Sequence, residues 1–459
     1  MKRVGLIVGI ALLLFLGALA YALIPTHTRA ITRVAAANAA SIERGRYLAV
    51  AGDCTACHTA PGGPPFAGGL PLGSPVGTIY STNITPDKKT GIGTYTLDDF
   101  DRAVRHGIDQ DGGSLYPAMP YPSYARLTDE DLTALYDYFM QGVTPASAEE
   151  HANGIPWPLS IHWPLAIWRK LFAAETESPR AAFDAAHYSD PVIARGAYLV
   201  QGLGHCGSCH TPRSLAFKEK ALDESSSEFL AGGPLIDGWV AVNLRGNAAD
   251  GLGNWSIEDI VATLKTGRNS NHAVMGQPMN DVVVHSTQLL SDADVQAVAK
   301  YLKTLAPAAA AGSGFKADPA TAAALAAGHE ANRGAEVYVD NCAACHRSNG
   351  EGSAKVLPAI AGNPSVLAPD PSSLIRLVLG GSTLPGTAAA PSALGMPGFA
   401  WRLSNEEVAQ LLTFIRNSWG NQASAVSASD VGKIRGAMDR GAMDRDAMDR
   451  DAAANRRGN

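Results

Sequence analysis

"GDCTACHTAPGG", residues 52–63, sets Cys54 and Cys57 two residues apart and puts His58 directly after them. The arrangement returns as "HCGSCHTPR", with Cys206, Cys209 and His210. It returns again as "NCAACHRSNG", with Cys342, Cys345 and His346. The chain has 6 cysteines, and these three motifs use all of them.

Each motif is one part of a longer repeat. "ERGRYLAVAGDC", "ARGAYLVQGLGHC" and "NRGAEVYVDNC" lead into the first cysteine, each as a short helix opened by Arg-Gly. Downstream, "GIGTYTLDDFDRAVRHG" (91–107) matches "GLGNWSIEDIVATLKTG" (251–267), with "PSSLIRLVLGG" (371–381) a fainter copy. Each repeat closes on a helix that starts with a hydroxyl residue three before an acid: Thr128 and Asp131, Ser291 and Asp294, Ser404 and Glu407. That is capping-box spacing, and apolar residues then recur at helical period.

The expected fold is mainly α, with three tandem domains at 41–145, 190–306 and 330–420. A Pro/Trp-rich connector, "GIPWPLSIHWPLAIW" (154–168), follows the first, and a low-complexity linker covers 307–329. The tail, 421–459, carries "GAMDRGAMDRDAMDRD" and is expected to be a solvated extension.

The N-terminus, 1–25, has Lys2 and Arg3 before an uncharged apolar run from Val4 to Pro25. About 20 apolar residues span a hydrocarbon core as a helix. Ala18-Leu19-Ala20 also offers a small-x-small cleavage pattern, so a signal peptide is the alternative. The run continues past that site, which favours a retained anchor, and either reading exports the rest of the chain. The formal net charge of −6 argues against a nucleic-acid partner.

Cys-x-x-Cys-His is the attachment motif of a c-type haem. Both thiols lie on one side of a helical turn, where each can bond a vinyl group, and the adjacent imidazole reaches the iron. Two cysteines could also form a redox dithiol or half a zinc site. Three copies with no spare cysteine favour three covalent haems, with His58, His210 and His346 as proximal ligands. Methionine suits the sixth position in an electron carrier. Met119 in "GGSLYPAMPYPSY" and Met396 in "ALGMPGFAWRLS" each precede a proline, in a loop just before a terminal helix. In the middle repeat Met275 and Met279 compete, and Met279, after Pro278, is preferred. Met140 is assigned to core packing, His205 to surface or propionate contact, and His106, His272 and His285 to ordinary polar roles. Tyr95 and Trp255 are open between propionate contact and core packing.

From residues 41 to 420 the chain resembles the three-haem cytochrome c subunits of bacterial membrane-bound, quinone-reducing dehydrogenases that oxidise alcohols, aldehydes or gluconate-type sugar acids. The resemblance rests on the three motifs and on "LYPAMPYPSY", "MNDVVVHSTQLLSDADVQAVAKYL" and "GMPGFAWRLSNEEV". It implies a large catalytic subunit carrying pyrroloquinoline quinone, flavin, or molybdopterin with iron–sulfur clusters, and a small subunit besides. It also implies ubiquinone as acceptor and a place on the periplasmic side of the bacterial inner membrane. The chain itself would be non-catalytic, and its apparent anchor leans the substrate toward an aldehyde. The alternatives are a cytochrome c subunit of another respiratory complex, such as a terminal oxidase, and a haem peroxidase. A methionine candidate in each repeat counts against the peroxidase.

Overall fold

The structure is a computed structural model that describes residues 2–26, 28, 30–33, 36–174, 182–236, 238–269, 275–308 and 315–440. Helices dominate the described residues, beside three small two-stranded antiparallel sheets. The main helices are α1 (Lys2–Leu23), α2 (Ala39–Ala51), α3 (Leu97–His106), α4 (Asp129–Asp137), α5 (Trp163–Phe172) and α6 (Pro191–Gln201). They continue with α7 (Ile257–Thr266), α8 (Asp292–Thr304), α9 (Arg333–Asn341), α10 (Ser372–Gly380) and α11 (Asn405–Arg416). Packing divides the chain into two compact units. One is Met1–Leu230 with His285–Tyr301, the other Ala231–Val284 with Leu302–Asn459, so the expected middle segment contributes to both.

The Arg-Gly signature marks a helix crossing that occurs three times. A Cβ on Gly45 of α2 would lie 1.9 Å from the Ala134 carbonyl oxygen and 2.7 Å from Tyr138 Cβ. On Gly196 of α6 it would lie 2.0 Å from the Ala297 oxygen and 2.8 Å from Tyr301 Cβ. On Gly334 of α9 it would lie 2.3 Å from the Gln410 oxygen and 2.9 Å from Phe414 Cβ. Only a residue without a side chain lets the backbones approach this closely.

The second repeated stretch also keeps its geometry. Tyr95 N–H donates to the Ile92 carbonyl at 2.9 Å, and Trp255 N–H to the Leu252 carbonyl at 3.1 Å. Thr96 with Asp99 and Ser256 with Asp259 form complete capping boxes, and left-handed Gly107 and Gly267 end α3 and α7.

In the first unit Leu48, Phe100, Leu132, Leu135, Phe139 and Leu203 share one core. In the second, Val337, Tyr338, Ile375, Leu411, Leu412 and Trp419 share another. Two expectations change there. Part of the low-complexity linker is helical, Ala320–Ala326, with Leu325 packed on that core. The start of the tail is packed too: Val426 and Val431 are buried in the same core, and 428–440 is helical. Arg416, fully buried, donates to the Val366, Ala368 and Ser424 carbonyls, which straps the returning chain in place. Apolar residues among the small ones, Val426, Val431 and Ile434, explain the outcome. Residues 441–459, with most of the five-residue repeat, lie outside the described part.

Helix α1 is long and apolar enough to cross a membrane, with a mean hydropathy of 2.6 over Leu6–Leu23 and none of that window buried. The connector helix α5 packs on it. Phe15 meets Trp163 edge-on at 5.7 Å. Lys170 Nζ donates to the Tyr21, Ala22 and Ile24 carbonyls, the free acceptors at the end of α1.

Candidate functional site

Each motif folds as a single helical turn, at Cys54–His58, Gly207–His210 and Ala343–His346. Helices α2, α6 and α9 deliver the chain to these turns. None of the six cysteines is paired in a disulfide. The first of each pair sits deeper: Cys342 is buried, Cys54 and Cys206 are half-buried, and Cys57, Cys209 and Cys345 are exposed. Each turn therefore keeps one sulfur against the protein and presents the other at the surface.

His58 and His346 are oriented by main-chain carbonyls. His58 Nδ1 lies 2.7 Å from the Thr82 oxygen, and His346 Nδ1 lies 3.0 Å from the Pro358 oxygen. A carbonyl only accepts, so Nδ1 carries the hydrogen and the Nε2 lone pair is left for a metal. Burial pushes both imidazoles below their ordinary pKa, against the opposing effect of these hydrogen bonds. The neutral ring, which is the ligating form, is favoured. His210 is 6% exposed, the most enclosed of the three.

The thiols run the other way. Burial pushes Cys54, Cys206 and Cys342 up to about 12. Among the described residues no group of three or more His, Cys, Asp or Glu side chains is arranged to hold a metal ion. The donor set of two thiols and one imidazole per turn, carbonyl-oriented at His58 and His346, fits a thioether-bound haem.

Met119 and Cys54 pack against the same core in the first unit, as Met396 does with Cys342 in the second. Met119 sits in a turn whose N–H bonds the Tyr116 carbonyl, while its own carbonyl accepts from Tyr121. Met396 is held by pairing with Ser382. In the middle repeat, His210 belongs to the first unit. Met279 opens the short helix Met279–His285 in the second, and Met275 donates its N–H to the Gly267 carbonyl at 2.6 Å. Met140 packs on the first core. His205 faces the Tyr124 ring at 5.7 Å, His106 lies beside Asp101, and His272 is outside the described residues. Tyr95 packs against the first core, and its carbonyl accepts from the Tyr136 hydroxyl at 2.9 Å.

The Thr82 and Pro358 carbonyls escape sequence reasoning, because a main-chain acceptor has no residue signature. Comparison with known proteins adds independent evidence. The Cytochrome c family model matches residues 42–142, 193–306 and 331–419. The chain is 54% identical to the gluconate 2-dehydrogenase cytochrome c subunit of Pantoea cypripedii, over 87% of this chain and 90% of the relative. It is 51% identical to the cytochrome c subunit of the alcohol dehydrogenase (quinone) of Gluconacetobacter polyoxogenes, over 88% and 86%. It is 39% identical to the fructose dehydrogenase cytochrome subunit of Gluconobacter japonicus, over 87% and 84%.

Proposed function

This chain belongs to the cytochrome c family, and from that premise we propose that it is the three-haem electron-transfer subunit of a membrane-bound, quinone-reducing dehydrogenase. The single observation that carries the reading is the histidine orientation: His58 and His346 both spend Nδ1 on a carbonyl and keep Nε2 for iron. The domains 41–145, 190–306 and 330–420 each take one haem. Cys54 and Cys57, Cys206 and Cys209, and Cys342 and Cys345 form the thioethers, with His58, His210 and His346 proximal. Met119, Met279 and Met396 supply the sixth ligands. When bound, each haem supplies a reversible one-electron couple at a potential raised by methionine. The chain's part is to fix ring and sulfur and to keep water from the iron.

Substrate chemistry then resides on a large catalytic subunit with its own cofactor, assembled with a small subunit, and ubiquinone is the acceptor. The relatives' names move the substrate from an aldehyde toward a gluconate-type sugar acid or an alcohol. Helix α1 anchors the chain, and the haem-bearing part lies on the periplasmic side of the inner membrane. The supports are the unburied apolar face of α1 and its buttress α5.

Detergent purification of the native complex tests this reading. A large dehydrogenase subunit should co-purify, and gluconate or an alcohol should reduce a ubiquinone analogue. Recovery with oxidase subunits instead would reject it.

A further inference from the structure

Within the first unit, two capping boxes are completed by residues from another repeat. In the closed boxes the acid at the third helical position accepts from the cap N–H, as Glu407 does from Ser404 at 3.1 Å. Helix α4 does otherwise. The Thr128 N–H donates to the Tyr198 hydroxyl at 3.3 Å, and that hydroxyl donates to Asp131 at 2.7 Å. At α8 the Ser291 N–H donates to the Tyr47 hydroxyl at 3.1 Å, which donates to Asp294 at 2.7 Å.

The two tyrosines are equivalent. Each stands two residues after the crossing glycine, Gly45 or Gly196, and three after an arginine. That arginine holds the acid of its own repeat: Arg44 to Asp131 at 2.5 Å and Arg195 to Asp294 at 2.7 Å. So α2 lends Tyr47 to the cap of α8, and α6 lends Tyr198 to the cap of α4. The exchange is reciprocal, as in an isologous interface. Asp131, Asp294 and Tyr198 are 1%, 8% and 5% exposed, so these are buried and satisfied polar groups. In the third repeat the tyrosine position is Glu336, and Arg333 pairs with both Glu336 and Glu407.

The same junction brings the first two attachment turns together. Tyr124, whose hydroxyl donates to the Gly52 carbonyl at 3.3 Å, stacks edge-on with His205, the neighbour of Cys206. We propose that Tyr47 and Tyr198 are positioning residues: a reciprocal clamp that holds the first and second attachment turns at a fixed spacing.

The test uses the full-length holoprotein carrying Tyr47→Phe and Tyr198→Phe, which keep both rings. Amide hydrogen exchange at Leu48–Ala51 and Leu199–Gln201 should rise on the order of tenfold, with Val337 and Tyr338 of α9 unchanged. The two-signed Soret circular dichroism from neighbouring haems should lose most of its amplitude, with methionine ligation unchanged. Arg333→Ala, which loosens the equivalent ion pairs of the third repeat, should leave that signal intact. Wild-type exchange in the double variant, or an equal loss in Arg333→Ala, overturns the clamp. The optical arm rests on the three-haem reading. A haem count by mass separates its failure from the clamp's, and the exchange arm needs no haem.

Discussion

The imidazole of His58 sits with Nδ1 2.7 Å from the Thr82 carbonyl oxygen, and His346 repeats the relation with Pro358 at 3.0 Å. Two motifs far apart in sequence thus solve one problem identically. The ring of a proximal ligand must be held in one tautomer and one orientation, and a main-chain carbonyl does both.

In the proposed reading each haem iron would take one methionine sulfur as its sixth ligand. Met119→Ala and Met396→Ala should each open one site, so that carbon monoxide binds the reduced chain at about one per molecule, and should lower one potential. Met279→Ala should do the same and Met275→Ala should not. Carbon monoxide titration against the wild type checks all four.

The crossing glycines should tolerate no side chain. Gly45→Ala puts a methyl 1.9 Å from a carbonyl oxygen that a helix cannot move aside. A loss of about 1–3 kcal/mol or more is expected, the usual cost of overpacking. Gly334→Ala, at 2.3 Å, should be comparable, whereas Gly62→Ala faces no steric neighbour and is strained only by its positive φ. Thermal unfolding of the three variants gives the order.

Asp294 gives a pH dependence with a definite sign. Burial pushes its carboxyl up, but the bonds from Arg195 and Tyr47 outweigh this and leave it below the ordinary 3.8. A lowered folded value means stability that is present above 3.8 and lost as pH falls below it. Asp294→Asn should therefore cost about 1–3 kcal/mol near neutrality and progressively less in acid. Unfolding curves for both proteins across that range measure the closing gap.

Removal of residues 1–24 should leave the haem spectra unchanged and release the chain from membranes. Lys170→Ala should weaken the seating of α5 on α1 without releasing it, because the apolar run itself is intact. Membrane fractionation distinguishes the two. N-terminal sequencing of the mature chain beginning at Tyr21 would show that α1 is cleaved.

Much of the site was legible in the sequence because its chemistry is written in rare residues at fixed spacing. The three cysteine pairs could be found by eye, and each folds as a single helical turn. The crossing was legible as Arg-Gly, though not the reason for the glycine, which is a backbone contact on a helix far away in the chain. The three terminal capping boxes looked alike, yet only Ser404 with Glu407 closes reciprocally on itself. At Asp131 and Asp294 the carboxylate is taken by Arg and Tyr instead of the cap N–H. The tail misled because its repeat is polar, while a few apolar residues just upstream decide the packing.

The mass of the intact purified chain tests the central claim most directly. The account predicts a single species heavier than the mature polypeptide by three haems, with no thiol left to alkylate after denaturation. A chain with fewer haems, or with any cysteine pair recovered as free thiols or a disulfide, would contradict it.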